Sequence, residues 1–177
     1  MKKPTILEGR VIVVKDNESK AIDDIDTDMI FHNKYLHITN IDEMGQYAFD
    51  NLKGWVNFSK IVKSDDILVV GKNFGAGSSR QQAVDCFRAL GIKLIIGESF
   101  GAIYKRNAIN SGLPLMISPE IMSENLETND VIKANLETGE IFNISKNYDL
   151  KKVNPLSKVQ LDIYHSGTLF DYGKKLG

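Results

Sequence analysis

The sequence predicts an α/β fold of three layers, β/β/α, in which helices cover one face of a central parallel sheet and a smaller antiparallel layer covers the other. Short apolar, β-branched runs alternate with helical segments through the middle of the chain, which is typical of buried parallel strands joined by right-handed crossovers. Later segments have the pattern of a hairpin, which predicts the antiparallel layer. A length of 177 residues favours one domain over residues 1–177.

The first third of the chain begins with a strand and then becomes acidic. Alternating apolar residues predict a strand over residues 5–15. Residues 21–30 are rich in aspartate, and carboxylates this dense predict a loop. Apolar residues near helical spacing predict a helix over residues 40–52, with Asn40 as its N-cap.

The central third contains the parallel unit. Three short apolar runs predict buried strands, at residues 66–71, 93–97 and 113–118. Two segments between them predict helices, at residues 80–90 and 100–111, ended by Gly91 and Gly112. Ligands of such sheets bind beyond the carboxyl ends of the strands. The segment that follows the strand at residues 66–71 is therefore the predicted ligand site.

The last third predicts the antiparallel layer and a terminal helix. Residues 130–145 have the pattern of a hairpin that turns at residues 137–139. Residues 158–176 predict a C-terminal helix that Gly167 interrupts.

Composition and charge exclude several functional classes. The 22 basic and 23 acidic side chains give a net charge of -1, so we expect no nucleic-acid partner and no membrane partner. Cys86 is the only cysteine; it cannot form an intramolecular disulfide or hold a metal by itself, and we expect a buried structural thiol. No apolar run is long enough for a membrane span or a signal peptide, so we expect a cytoplasmic protein.

The segment 71–80, GKNFGAGSSR, which we call the glycine–serine loop, carries the chemistry. Its glycines allow tight turns and close approach of a ligand to the backbone. Ser78 and Ser79 lie where a helix is predicted to begin, and free N–H groups there favour an anion. Arg80 adds a planar donor pair that matches a carboxylate or phosphate. The loop therefore predicts an anion site, formed around Gly77, that contains a hydroxyl group.

Nucleotide-binding motifs do not fit this loop. A P-loop requires a Lys after its last glycine, and the dinucleotide fingerprint requires a glycine where Arg80 stands. The remaining alternative from the residues alone is an ordinary glycine-rich turn with a serine helix cap.

Several ordered motifs together are more specific than the loop. The loop, the later segment LIIGESFGAIYKRNAINSGLPLM and the upstream segment DIDTDMIFHNKYL resemble the small subunits of 3-isopropylmalate dehydratase, in the aconitase superfamily. The likeness covers residues 9–173 and extends to the swivelling C-terminal domain of aconitase and to homoaconitase small subunits.

The resemblance implies one half of a hydro-lyase that isomerises a hydroxy di- or tricarboxylate by dehydration and rehydration. It implies a large subunit as partner, which holds a [4Fe-4S] cluster, and no cofactor or metal bound by this chain. By the same motif Ser78 is the catalytic base, Ser79 supplies an adjacent donor, and Arg80 grips a substrate carboxylate. Asp28 matches an active-site acid, as a proton relay or an orienting group; a turn carboxylate is the alternative. When isolated, the chain could form a homo-oligomer.

The sequence departs from the family pattern at two places, and more than one substrate is compatible with it. Gln81 stands where the family usually has Glu, which keeps a non-catalytic anion-binding domain as an alternative. In the loop that discriminates substrates, His37 and Ile38 match neither the isopropylmalate nor the homoaconitate pattern cleanly, although Ile38 suits a branched alkyl group and His37 could meet a carboxylate. We expect 2-isopropylmalate, with homoaconitate, dimethylmalate and citramalate as alternatives, and a role in leucine biosynthesis.

Overall fold

The computed structural model describes residues 2–177 and contains one mixed sheet. Its strands are β1 (Ile6–Val13), β2 (Ile67–Val70), β3 (Leu94–Gly97), β4 (Leu115–Ile117), β5 (Val131–Asn135), β6 (Ile141–Asn143) and β7 (Tyr148–Asp149). Their order in the sheet is β4-β3-β2-β1-β5-β6-β7. The four strands from β4 to β1 are parallel, and β5 to β7 continue the sheet in antiparallel pairing.

The helices fall before, within and after the parallel unit. They are α1 (Thr27–Ile30), α2 (Ile41–Met44), α3 (Phe58–Ile61), α4 (Gln82–Ala89), α5 (Ala102–Asn110), α6 (Lys158–Ser166) and α7 (Leu169–Leu176). Single 3₁₀ turns occupy Asn33–Tyr35, Gly45–Tyr47 and Ile121–Ser123. Among residues 2–177, no helix has the length and apolar character that crossing a bilayer requires.

Strand β1 connects the parallel and antiparallel parts of the sheet. Its first residues pair antiparallel with β5, from Ile6 opposite Asn135 to Arg10 opposite Val131. Its last residues pair in parallel with β2, from Val11 to Val13. The α/β class with a parallel centre and an antiparallel layer is confirmed, and the antiparallel layer is an extension of the same sheet.

Two apolar cores lie on opposite faces of the parallel strands. Leu68 and Val70 of β2 face the helices, whereas Ile67 and Val69 face the antiparallel part of the sheet. Alternate side chains of a strand point to opposite faces, so both sets are buried. This explains why β2 is apolar at every position instead of alternating.

The predicted helix over residues 40–52 is wrong in length. Asn40 caps α2 as predicted, accepting from the Asp42 N–H at 3.2 Å, but α2 ends after four residues in a 3₁₀ turn. Phe49 then takes a left-handed backbone, with φ of 60°. That turn buries its ring completely against Phe58 and Phe87, at centroid distances of 4.9 and 5.2 Å. Aromatic burial has overridden helical propensity.

Other boundaries differ less. The acidic segment predicted as a loop contains the short α1, which Asp26 caps by accepting from Met29 N at 2.8 Å. The C-terminal helix is interrupted at Gly167, as predicted, where φ is 104°. Thr168 then caps α7, with its side chain accepting from Asp171 N.

Cys86 is expected to resist alkylation in the native protein. It lies on α4 with none of its surface exposed, and burial raises the pKa of its thiol far above the ordinary range. The reactive thiolate is therefore scarce at neutral pH. Intact-mass measurement after iodoacetamide treatment should find no adduct in buffer and one adduct in guanidinium chloride. Rapid labelling of the native chain would contradict this packing.

Candidate active site

The glycine–serine loop lies at the carboxyl end of the parallel strands. It follows β2 and passes between the chain that follows β1 and the chain that follows β3. Backbone hydrogen bonds hold it on both sides: Gly75 N to Ile25 O at 2.7 Å, Thr27 N to Ala76 O at 2.9 Å, and Gly101 N to Phe74 O at 2.9 Å. The site therefore occupies the edge of the sheet that the parallel topology predicts.

Two glycines of the loop have backbone conformations that other residues rarely adopt. Gly75 has φ of 76° and Gly77 has φ of 94°. A Cβ on Gly75 would lie 2.2 Å from Cγ of Tyr104, a side chain that is 2% exposed. The loop thus packs directly on α5 before Gly77 turns the chain towards the surface.

Ser78 presents its hydroxyl at the surface. The residue is exposed, and its Oγ lies 3.2 Å from Oγ1 of Thr27, a side chain that is only 3% exposed. Within the described part of the chain, the N–H groups of Gly77, Ser78 and Ser79 have no acceptor. The loop therefore offers a hydroxyl together with a run of free donors, as an anion site requires.

Neither serine caps the helix. The sequence predicts that the helix begins at Arg80, but α4 begins at Gln82, and its N-cap, Gln81, makes no side-chain cap bond. The loop takes an extra turn instead, in which Arg80 N donates to Ser78 O at 2.9 Å. The alternative of a simple serine cap therefore does not describe this loop.

Within residues 2–177, one nitrogen of the Arg80 guanidinium makes all of its side-chain hydrogen bonds. Nη1 donates to Oδ1 of Asp28 at 2.8 Å, to Phe31 O at 2.6 Å and to Thr27 O at 3.3 Å. The Arg80 side chain is 12% exposed. Nε and Nη2 find no acceptor among residues 2–177 and are not enclosed. That free edge matches the two oxygens of a carboxylate.

Asp28 is a carboxylate that orients Arg80. The hydrogen bond from Arg80 is the main cause that lowers the pKa of Asp28, and the N–H of Asn33, which donates at 2.9 Å, also contributes. A carboxyl group with a lowered pKa is ionised at neutral pH and holds no proton to give. Of the two predicted roles, the geometry favours the orienting group over the proton relay.

Replacing Asp28 with Asn is expected to lower stability at pH 7 by about 1 kcal/mol or less, because the Asp28 side chain is 38% exposed and solvent screens the pair. Folding lowers this pKa, so the stabilisation is present above the ordinary carboxyl pKa and is lost as the pH falls through the lowered value. Urea midpoints of the two proteins should therefore converge below about pH 4. A difference that persists unchanged in acid would contradict the pair.

The predicted discriminating loop is only partly at the surface. His37 is exposed, and its Nδ1 lies 3.1 Å from Lys34 O. Ile38 is 9% exposed and packs in the core on the helix side of the sheet. Its predicted contact with substrate is therefore not favoured by this geometry. Leu36, which directly precedes this loop, is an exposed apolar residue, and its carbonyl lies 3.5 Å from the Gln82 amide on α4.

The side-chain contacts of Gln81 explain why a glutamine stands where the family usually has a glutamate. Its Nε2 donates to Oδ1 of Asp85 at 3.2 Å and to Oγ of Ser111 at 2.8 Å. Asp85 is 6% exposed and also pairs with Arg88 at 2.7 Å. A glutamate at position 81 would place a second carboxylate one helical turn from Asp85, where like charges repel. The departure that favoured a non-catalytic domain is thus accounted for by its neighbour.

The residues that the structure describes do not offer the ligands that a metal cluster requires. Among residues 2–177, no three His, Cys, Asp or Glu side chains lie close enough to hold a metal ion. Cys86 is buried and alone, whereas iron–sulfur clusters require several thiolates.

Sequence reasoning missed two residues of the site. Thr27 lies in a quoted motif, yet only the folded chain brings its hydroxyl to Ser78. Asn51 carried no signal, because it lies far along the chain from Asp28, whose carboxylate it contacts at 3.1 Å.

The chain is similar to known proteins over most of its length. Residues 12–120 match the model of the aconitase C-terminal domain family. A 3-isopropylmalate dehydratase small subunit of Sulfurisphaera tokodaii is 40% identical over 97% of this chain and 95% of that relative. An isopropylmalate/citramalate isomerase small subunit of Methanocaldococcus jannaschii is 39% identical over the same shares. The crystal structure of a 3-isopropylmalate dehydratase from Methanocaldococcus jannaschii matches with a TM-score of 0.81 and 35% identity, over 97% of this chain and 95% of that one.

Proposed function

Because the chain belongs to the aconitase C-terminal domain family, and within it to the 3-isopropylmalate dehydratase small subunits, we propose that it forms one half of a hydro-lyase for 2-isopropylmalate. The reaction converts 2-isopropylmalate to 3-isopropylmalate by loss and readdition of water, a step of leucine biosynthesis. Residues 1–177 act as a single swivelling domain that presents the site to a larger partner.

The observation that carries this proposal is the pairing of an exposed hydroxyl with a free guanidinium edge. The Ser78 Oγ is accessible, and Nε and Nη2 of Arg80 lack acceptors within the described residues. A hydroxy dicarboxylate needs both groups, since a base must remove the proton on the carbon next to a carboxylate that is held in place.

The chain's own residues account for how Ser78 acts as a base. A serine alkoxide is unstable in water, so its charge must be met by donors. The free N–H groups of the glycine–serine loop and the Thr27 hydroxyl, 3.2 Å away, supply them. Arg80 holds the substrate carboxylate, and Asp28 orients the guanidinium. Ser79 adds a further donor at the surface.

The proposal assigns the [4Fe-4S] cluster of the family to the partner, a large subunit. The ligand types of the described residues support this division: no three His, Cys, Asp or Glu side chains lie together within residues 2–177, and Cys86 is buried, whereas an iron–sulfur cluster requires several thiolates. Activity then depends on assembly of the two chains, and the isolated chain is inactive.

Reconstitution tests this function. The chain is mixed with a cluster-loaded large subunit and supplied with 2-isopropylmalate, citramalate, dimethylmalate and homoaconitate. We expect the highest kcat/KM for 2-isopropylmalate, and citramalate second, since one relative is named for both substrates. A colourless, inactive isolated chain is the matching control. No turnover of any of these acids by the assembled pair would overturn the proposal.

A further inference from the structure

We propose that Asn51 is a positioning residue, which holds the Arg80 guanidinium in place through Asp28. The inference rests on the proposed function, because it concerns the grip on the substrate carboxylate. Asn51 lies outside the motifs that carry the resemblance, and the hydrogen bonds of its Nδ2 go to Asp28.

Both oxygens of the Asp28 carboxylate are fixed by donors. Oδ1 accepts from Arg80 at 2.8 Å and from the Asn33 N–H at 2.9 Å. Oδ2 accepts from Nδ2 of Asn51 at 3.1 Å, and the same Nδ2 lies 3.2 Å from the backbone oxygen of Asp28. Without Asn51, Oδ2 would lose its donor and the carboxylate would be held at Oδ1 alone, so its alignment with Nη1 of Arg80 would be less restricted.

The neighbouring residue holds the other end of the same segment. The Asp50 carboxylate accepts from the Tyr35 hydroxyl and lies 3.3 Å from Nζ of Lys34. We call Asp50 and Asn51 the latch. Between its two contact points lies Phe31, whose backbone oxygen accepts from Nη1 of Arg80 at 2.6 Å. The latch therefore contacts both ends of the segment 28–35, whose Asp28 and Phe31 accept hydrogen bonds from Nη1 of Arg80. Nε and Nη2 of the guanidinium stay available to a ligand.

Asn51 is suited to this role and not to packing. Its side chain is exposed, while the next residue, Leu52, is 5% exposed and fills the core. The bonds of its Nδ2 go only to Asp28. An aspartate here would bring two carboxylates together without a donor. Substitution is thus expected to change the site more than the fold.

The test uses Asn51→Ala in the reconstituted pair, with Asn57→Ala as matched control. Asn57 is also exposed and makes no side-chain cap bond at the start of α3. We expect KM for 2-isopropylmalate to rise about tenfold in Asn51→Ala while kcat changes less than about twofold, since Arg80 binds substrate and transition state alike. Asn57→Ala should leave both constants unchanged. An unchanged KM in Asn51→Ala would overturn the inference.

A double substitution separates positioning from a general structural role. If Asn51 acts through Asp28, Asn51→Ala should add no further rise in KM in an Asp28→Ala background. If the KM of the double variant instead equals the product of the two separate increases, Asn51 acts on a group other than Asp28. Asn51→Asp keeps the size of the side chain and removes the donor, so it replaces the alanine variant if the latter fails to fold.

A measurement on the full chain without its partner distinguishes this inference from the proposed function. NMR titration of the Asp28 carboxyl group should find its pKa higher in Asn51→Ala than in the wild type, because a donor to the charged form is lost. Arg80 and His32, the other side chains that act on the pKa of Asp28, are unchanged in this variant. An unaltered pKa contradicts the inference, whereas a wild-type pair that turns over no substrate contradicts the function alone.

Discussion

Replacing Ser78 with Ala is expected to lower kcat of the reconstituted pair by about 10²–10⁴-fold, the range for loss of a general base. Two neighbouring groups are poorly placed to replace the base: the Thr27 hydroxyl is buried, and Asp28 is engaged by Arg80, Asn33 and Asn51. KM should change little, because Arg80 continues to hold the carboxylate. Steady-state kinetics with saturating large subunit measures both constants.

The fold should tolerate this change. Ser78 is exposed, and the hydroxyl contact that is lost is the one with Thr27 at 3.2 Å, so the thermal midpoint should stay close to that of the wild type. Ser123→Ala is the matched control, since Ser123 is also exposed and its hydroxyl makes a local bond, to Glu120 O at 2.7 Å. Retained turnover in Ser78→Ala would remove the assigned base.

Replacing Gly75 with Ala is expected to destabilise the chain by about 3 kcal/mol or more. A φ of 76° costs an L-residue about 1–2 kcal/mol, and a Cβ at 2.2 Å from the Tyr104 ring adds an overpacking cost of about 1–3 kcal/mol. Tyr104 cannot move away easily, because it is fully enclosed and its hydroxyl donates to Ala83 O at 3.2 Å. Urea unfolding measures the loss.

Gly173 provides the control for this substitution. It lies within α7, and a Cβ there would meet nothing within 4 Å. Gly173→Ala should therefore leave stability unchanged or raise it by up to about 1 kcal/mol, through helical propensity. Equal midpoints for the two alanine variants would show that the loop does not pack on α5 as described.

The same loop illustrates what local sequence can and cannot predict. Its glycines, serines and arginine lie within ten consecutive residues. The sequence alone therefore predicts an anion site in this loop. The start of the following helix was predicted two residues too early: α4 begins at Gln82, and the side chain of its N-cap, Gln81, bonds to Ser111, a residue from another segment of the chain. Ile38 was predicted to contact the alkyl group of the substrate, yet it is 9% exposed and packs in the core on the helix side of the sheet.

The sequence by itself determined the features that depend on neighbours along the chain. These are the alternation of buried strands and helices, the interruption at Gly167, and the hydroxyl and guanidinium of one short loop, because periodicity and backbone preference act over a few residues. Only the tertiary structure decided which distant groups meet. Burial of Phe49 shortened a predicted helix, and Thr27 and Asn51 joined the site through contacts that chain spacing does not encode. Such contacts arise when separate segments pack together, and no local pattern records them.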